Sequence, residues 1–198
     1  MERKKIDVRK LTRVGILIAV VVILQLLPIR FGTVEINLAL IPIVLGALLY
    51  GPMIGAFLGV IDGIVILLLP GTGAFLSFNP ICTILMCLLK TGLAGLVAGF
   101  LYKSLRKFDE TVGVTVAAFS APIINTGIFM IGVLTIFSGM FEGAAAADGM
   151  SLFKFVIVSF ITTNFLVEII VTMLLSPVLI RLVAMYKRKT KTKIPDEE

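Results

Sequence analysis

The sequence has no histidine, no tryptophan and only two cysteines, Cys82 and Cys87. Without histidine, the usual general base and the commonest metal ligand are missing. The two cysteines are five residues apart in an apolar run. On a helix they point in different directions, which argues against a disulfide or a metal site. There is no phosphate-binding loop with a lysine, and no serine stands beside a general base. Nothing therefore points to an enzyme, a metal site or a cofactor bound by this chain. Charge is scarce too: 15% of the 198 residues are charged, against about 25% in soluble domains.

Apolar residues fill the space, at 59% of the chain with a mean hydropathy of +1.11. A soluble globule of this length cannot hide that much apolar surface, so lipid is the expected solvent. Hydrophobic runs and breakers predict an all-α polytopic membrane protein in a single domain. Its six spans are expected at 8–27, 36–49, 52–69, 80–102, 112–137 and 152–186. The breakers are Pro28, the turn Tyr50-Gly51-Pro52, and Pro70-Gly71-Thr72-Gly73. Residues 29–35 read as a polar surface loop, 139–149 (GMFEGAAAADG) as a small-residue loop, and 187–198 as a charged cytoplasmic tail. The basic N-terminus followed by an apolar run mimics a signal peptide. No small-residue cleavage site follows, so it is expected to stay as the first helix.

The net charge of +6 is unevenly placed. Three stretches, at the N-terminus, at 103–107 and at the C-terminus, hold 15 of the 18 basic residues. Six spans put all three on one side, and the positive-inside rule makes that side the cytoplasm. Beside hydrophobic spans, such charge suits orientation and anionic lipid rather than nucleic acid.

Charges within spans are costly and mark candidate sites. Asp62, Lys90 and Glu168 lie inside expected spans, with Asn125 and Asn164 as further polar groups. Lys90 falls about 15 Å from the outer end of its span. Asn164 and Glu168, four residues apart, share a helix face. Lys90, Asn125, Asn164 and Glu168 are expected to converge on an outward-facing cavity. Asp62 is set aside, because its segment is expected to pack away from that cavity. The competing reading makes Lys90 a buried partner of Glu168 or Asp62, and the asparagines interhelical hydrogen bonds. Glycines at 55, 59 and 63, and at 92, 95 and 99, form small faces suited to close helix packing.

Four segments carry a resemblance across nearly the whole chain: VEINLALIPIVLGALLYGPMIGAFLG (34–59), FNPICTILMCLLKTGLAGLVAGFLYKSL (78–105), NTGIF (125–129) and NFLVEIIVTMLLSPVLIRL (164–182). Together they resemble the substrate-binding S component of energy-coupling factor (ECF) vitamin transporters. The resemblance implies a six-helix subunit of a prokaryotic plasma membrane that captures a vitamin or related micronutrient from outside. It implies partners: a transmembrane coupling subunit and two cytoplasmic ATPases, which hydrolyse the ATP. It places substrate contacts at Asn79, Lys90, Asn125, Asn164 and Glu168, under loops carrying Phe31, Glu35, Phe75 and Phe78. The family's Ala-x-x-x-Ala docking motif falls on Gly15 and Ala19, a departure that keeps the helix surface flat. The SFNP sequence followed by a basic residue is similar to pantothenate-type members, with riboflavin-type members next. Two other readings compete: a stand-alone ion-coupled transporter using Asp62 or Glu168, and a non-transport membrane scaffold.

Overall fold

The computed structural model describes residues 8–27, 29–31, 34–159 and 165–191, with backbone alone at 29–31, 34–36 and 189–191. Helix α1 spans Val8–Leu26. Two short antiparallel strands follow, β1 (Ile29–Phe31) and β2 (Val34–Ile36), with Arg30 paired to Glu35. The expected polar loop is thus a hairpin, a small exception to an otherwise all-α chain. Because residues 34–36 pair as a strand, α2 starts late, at Leu40, and runs to Tyr50. Gly51 adopts a positive φ of 99°, and Pro52 opens α3 (Pro52–Leu67). This is the tight turn that Tyr-Gly-Pro announces.

A 3-10 turn at Pro70–Thr72 leads into α4 (Gly73–Phe78), and the Thr72 hydroxyl ties it back by donating to the Ile66 carbonyl at 2.7 Å. The long helices α5 (Pro80–Leu105) and α6 (Glu110–Thr135) come next. Asn79 caps α5 by accepting from the Cys82 amide, and Asp109 caps α6 by accepting from that of Val112. The small-residue stretch expected to be a loop is a helix, α7 (Ser138–Ala147). Within the sixth expected span, α8 covers Leu152–Val156 and runs on as π-helix over 157–159, and α9 covers Leu166–Lys191, with 160–164 outside the described residues. Helix α9 thereby takes in the first residues of the expected charged tail.

Helices α5, α6 and α9 are each long and apolar enough to cross a membrane, and α3 with the segment after it makes a fourth candidate, bent by 78°. Helix α2 is apolar but has 11 residues, and α1 carries Arg9, Lys10 and Arg13 in its first two turns. The exterior is a belt of exposed apolar side chains, among them Ile64, Leu85, Ile123, Ile131 and Leu174. Such a surface suits hydrocarbon rather than water.

Short α2 is the hub of the core. Its Leu40, Ile43, Val44 and Leu48 pack with Val21 of α1, Leu58 of α3, Ala94 and Ala98 of α5, Ala117 and Ala121 of α6, and Leu179 and Val183 of α9. Helices α3 and α5 meet backbone to backbone. A Cβ added at Gly55 would meet the Gly95 carbonyl at 2.6 Å, and one at Gly63 the Cys87 carbonyl at 2.6 Å. The small faces expected from the sequence are therefore one shared interface.

The described members of the three basic clusters gather at one end of the bundle. Arg13 lies 5.4 Å from the Tyr186 ring centroid, Lys187 pairs with Glu110 at 2.6 Å, and Arg106 stands 5.5 Å from the Tyr102 ring. This joins the start of α1 to the ends of α5 and α9 and the start of α6.

Candidate functional site

The spacing of α3 against α5 sets the site. With Gly59 and Gly63 against α5, Asp62 is carried into the bundle interior and is fully buried, with 0% exposure. Lys90, on the facing stretch of α5, is half-buried. Its charge acts on both Asp62 and Glu168. Its ammonium lies 5.3 Å from the Phe129 ring centroid on α6, a cation–π contact. Glu168, near the start of α9, is buried at 7% exposure, and the Thr126 hydroxyl of α6 faces it at 3.5 Å.

Asn37, between β2 and α2, joins the two acids. Its main chain faces Glu168 and its side chain faces Asp62. The side-chain oxygen accepts from the Ala39 amide at 3.1 Å, an Asx turn that leaves the amide nitrogen to face outward from the turn. The Asn37 amide is near enough to act on Asp62, yet neither Asp62 oxygen has a partner with hydrogen-bond geometry among the described residues. Asn125 is buried at 6% exposure, and its Oδ1 likewise lacks a partner. It sits one turn before Phe129, on the α6 face presented to Lys90. Pro122, within the same helix, removes one backbone donor a turn earlier.

An aromatic cluster adjoins the charges. Phe75 of α4 has ring centroids at 6.0 Å from Phe129, 5.2 Å from Phe137 and 6.0 Å from Phe141, while Phe78 is 6.0 Å from Phe137. The segment after α3 thus docks on α6 and α7 through aromatic rings, one of which also faces Lys90.

Of the residues singled out from sequence, Lys90, Asn125 and Glu168 come together, with Phe75 beside them. Asn79 has a local task as the cap of α5. Asn164 lies outside the described residues, as do the side chains of Phe31 and Glu35. Gly15 and Ala19 are exposed on α1, on the side away from buried Val14 and Val21. Asp62 corrects the expectation set for it, since its helix turns the carboxylate inward toward Lys90. Asn37 and Thr126 were not foreseen. Asp62 had a legible signal, because it adjoins the glycine stripe that marks a packing face. Asn37 had none beyond being polar before an apolar run.

A cavity of about 300 Å³ opens at the basic end instead, lined by Tyr50, Gly51, Pro52, Tyr102, Lys103 and Arg106 among others. Its lining does not include Asp62, Lys90 or Glu168. Among the described residues, no group of histidine, cysteine and carboxylate side chains is arranged to hold a metal ion.

The arrangement is a small charged centre inside an apolar bundle. Searches of curated proteins and of solved structures return no match. A family model does match, that of the ECF transporter substrate-specific component, over residues 9–180. With so much of its length covered, the chain belongs to the family of substrate-specific components of ECF transporters.

Proposed function

We propose that this subunit captures a water-soluble, vitamin-type micronutrient outside the cell and passes it inward with a transmembrane coupling subunit and two cytoplasmic ATPases. On this reading it crosses the plasma membrane six times, with both termini in the cytoplasm. It binds no cofactor itself, and its partners hydrolyse the ATP. The observation that carries the reading is the convergence of Asp62, Lys90 and Glu168 from three helices, in a bundle of this family. Charges within a membrane span are retained where they serve a pathway or a ligand. The substrate contacts are Lys90, Asn125, Asn164 and Glu168, with Asn79 at the rim. The segments bearing Phe31 and Glu35, and Phe75 and Phe78, cover the site. Pantothenate, through a Lys90–carboxylate match, and riboflavin are the candidates drawn from sequence.

The test is a thermal-shift screen of the detergent-purified chain against water-soluble vitamins, paired with uptake in cells. A tight ligand stabilises by about 4 kcal/mol at a thousandfold excess over Kd. Uptake should vanish when the coupling subunit or an ATPase is deleted. Undiminished uptake without them would sink the proposal.

The two buried acids favour a second reading, in which Asp62 or Glu168 carries an ion for a stand-alone transporter. Transport by the purified chain alone, in liposomes under a proton or sodium gradient, would select it.

A further inference from the structure

The buried side-chain atoms without a hydrogen-bond partner, among the described residues, are Gln25 Oε1, both Asp62 carboxylate oxygens and Asn125 Oδ1. All four are acceptors. Three of them belong to the candidate site, on side chains that are 0% and 6% exposed. A buried acceptor without a donor is costly, and a buried carboxylate without one more so. The missing partner should therefore bring hydrogens.

The charges give the same answer independently. Lys90 acts on both Asp62 and Glu168, so one cation faces two acids. Glu168 has further support from Thr126 and the Asn37 main chain, while Asp62 has no hydrogen bond. Of the two acids, Asp62 is therefore the one left in want of donors. The neighbouring rings of Phe129 and Phe75 add a surface that favours a cation over their faces.

We propose that Asp62 and Asn125 form the recognition point for a positively charged, N–H-bearing group of the captured solute. This rests on the capture reading above and specifies its substrate class: a cationic micronutrient, such as one with a protonated amine or an aminated heteroaromatic cation. It reverses the preference for a carboxylate ligand that Lys90 alone would suggest, because two buried carboxylates share the field of that one ammonium. Asp62 then recognises the substrate directly, while Thr126 and the Asn37 main chain attend Glu168.

The test uses the full chain in detergent and titration calorimetry with four probe classes: thiamine and pyridoxamine as cations, riboflavin as a neutral ring, pantothenate as an anion, and sodium chloride alone. A cationic probe should bind. Asp62→Asn should weaken it at least tenfold, and Asn125→Asp, which adds negative charge at the unpaired acceptor, should tighten it several-fold. If Asp62→Asn fails to fold, Asn125→Asp still carries the test, and unchanged or weaker binding by it overturns the proposal. If pantothenate or riboflavin binds and the cations do not, capture stands and the cation assignment falls. Equal stabilisation by sodium alone would replace the organic cation with an inorganic one and overturn the proposal. Binding by no probe of any class would bring down the capture reading itself.

Discussion

The Thr91 hydroxyl lies 2.6 Å from the Gly59 carbonyl of the facing helix and 2.9 Å from the Cys87 carbonyl of its own. The shorter contact crosses between α5 and α3. Thr91 follows Lys90, and Gly59 precedes Asp62 by one turn. One hydroxyl therefore sets how the Lys90 helix stands against the Asp62 helix. Thr91→Val keeps the shape and removes the donor. Interhelical hydrogen bonds in membranes are worth about 0.6 kcal/mol on average and up to about 1.7. A loss of stability of that size, seen as a lower thermal midpoint, is expected, with ligand affinity reduced several-fold and Thr91→Ser restoring both. A Thr91→Val protein that melts and binds like wild type would show that the contact does not set the helix register.

Glycine positions should differ sharply in what they tolerate. A Cβ at Gly59 would meet the Thr91 carbonyl, with the Thr91 carbonyl carbon at 2.5 Å and the Gly92 nitrogen at 2.8 Å. These are backbone atoms, so the helices must part. Gly59→Ala should cost about 1–3 kcal/mol, the usual range for overpacking. At Gly15 nothing lies within 4 Å of an added Cβ. Gly15→Ala should leave stability unchanged or raise it by up to about 1 kcal/mol, since glycine weakens a helix interior. Thermal melts of the two variants side by side decide this, and equal melting would refute the α3–α5 packing.

How far the sequence carried can be judged element by element. Helices α5 and α6 were legible because Pro80 and the charged link before residue 112 punctuate long apolar runs. Asp109 caps α6 and starts it at Glu110, two residues before the expected span. Helix α7 forms where a small-residue loop was expected, because its four consecutive alanines favour helix. The hairpin at 29–36 pairs over three residues on each side, too short for a periodic signal. For the site, scarcity of charge sufficed to nominate Lys90 and Glu168. Asn37 was out of reach, because its role depends on where the chain before α2 passes between α3 and α9. Asp62 was within reach, since the glycine stripe beside it faces α5.

At the basic end, the 2.6 Å pair of Lys187 and Glu110 links α9 to α6, with side chains 42% and 40% exposed, and the Tyr102 hydroxyl also donates to Glu110 at 3.2 Å. Exposed pairs are worth about 0.2–1 kcal/mol. Glu110→Gln retains an acceptor for Tyr102 and removes only the charge. It should therefore lower stability by less than about 1 kcal/mol at low salt. Near 1 M salt, where the screening length shrinks to about 3 Å, wild type and variant should melt together. A difference that persists at high salt would assign the stabilisation to the hydrogen bond or to packing instead.

Gly15 and Ala19 lie on the exposed side of α1, whose other side packs Val14 and Val21 into the bundle. Small residues there leave a shallow strip between bulkier Leu11, Ile16 and Ile23, all exposed. Close approach of a second helix is what such a strip permits. If the coupling subunit docks there, Gly15→Leu and Ala19→Leu should fold as wild type, because Gly15 has open space around it and Ala19 is exposed. Ligand binding by the isolated subunit should be unchanged. Co-purification with the coupling subunit and ATPases should fall at least tenfold, and uptake with it. The separation of the two readouts matters. A loss of both binding and assembly would point to damage inside the bundle, whereas normal assembly with a leucine at both positions would exclude this face of α1 as the docking surface.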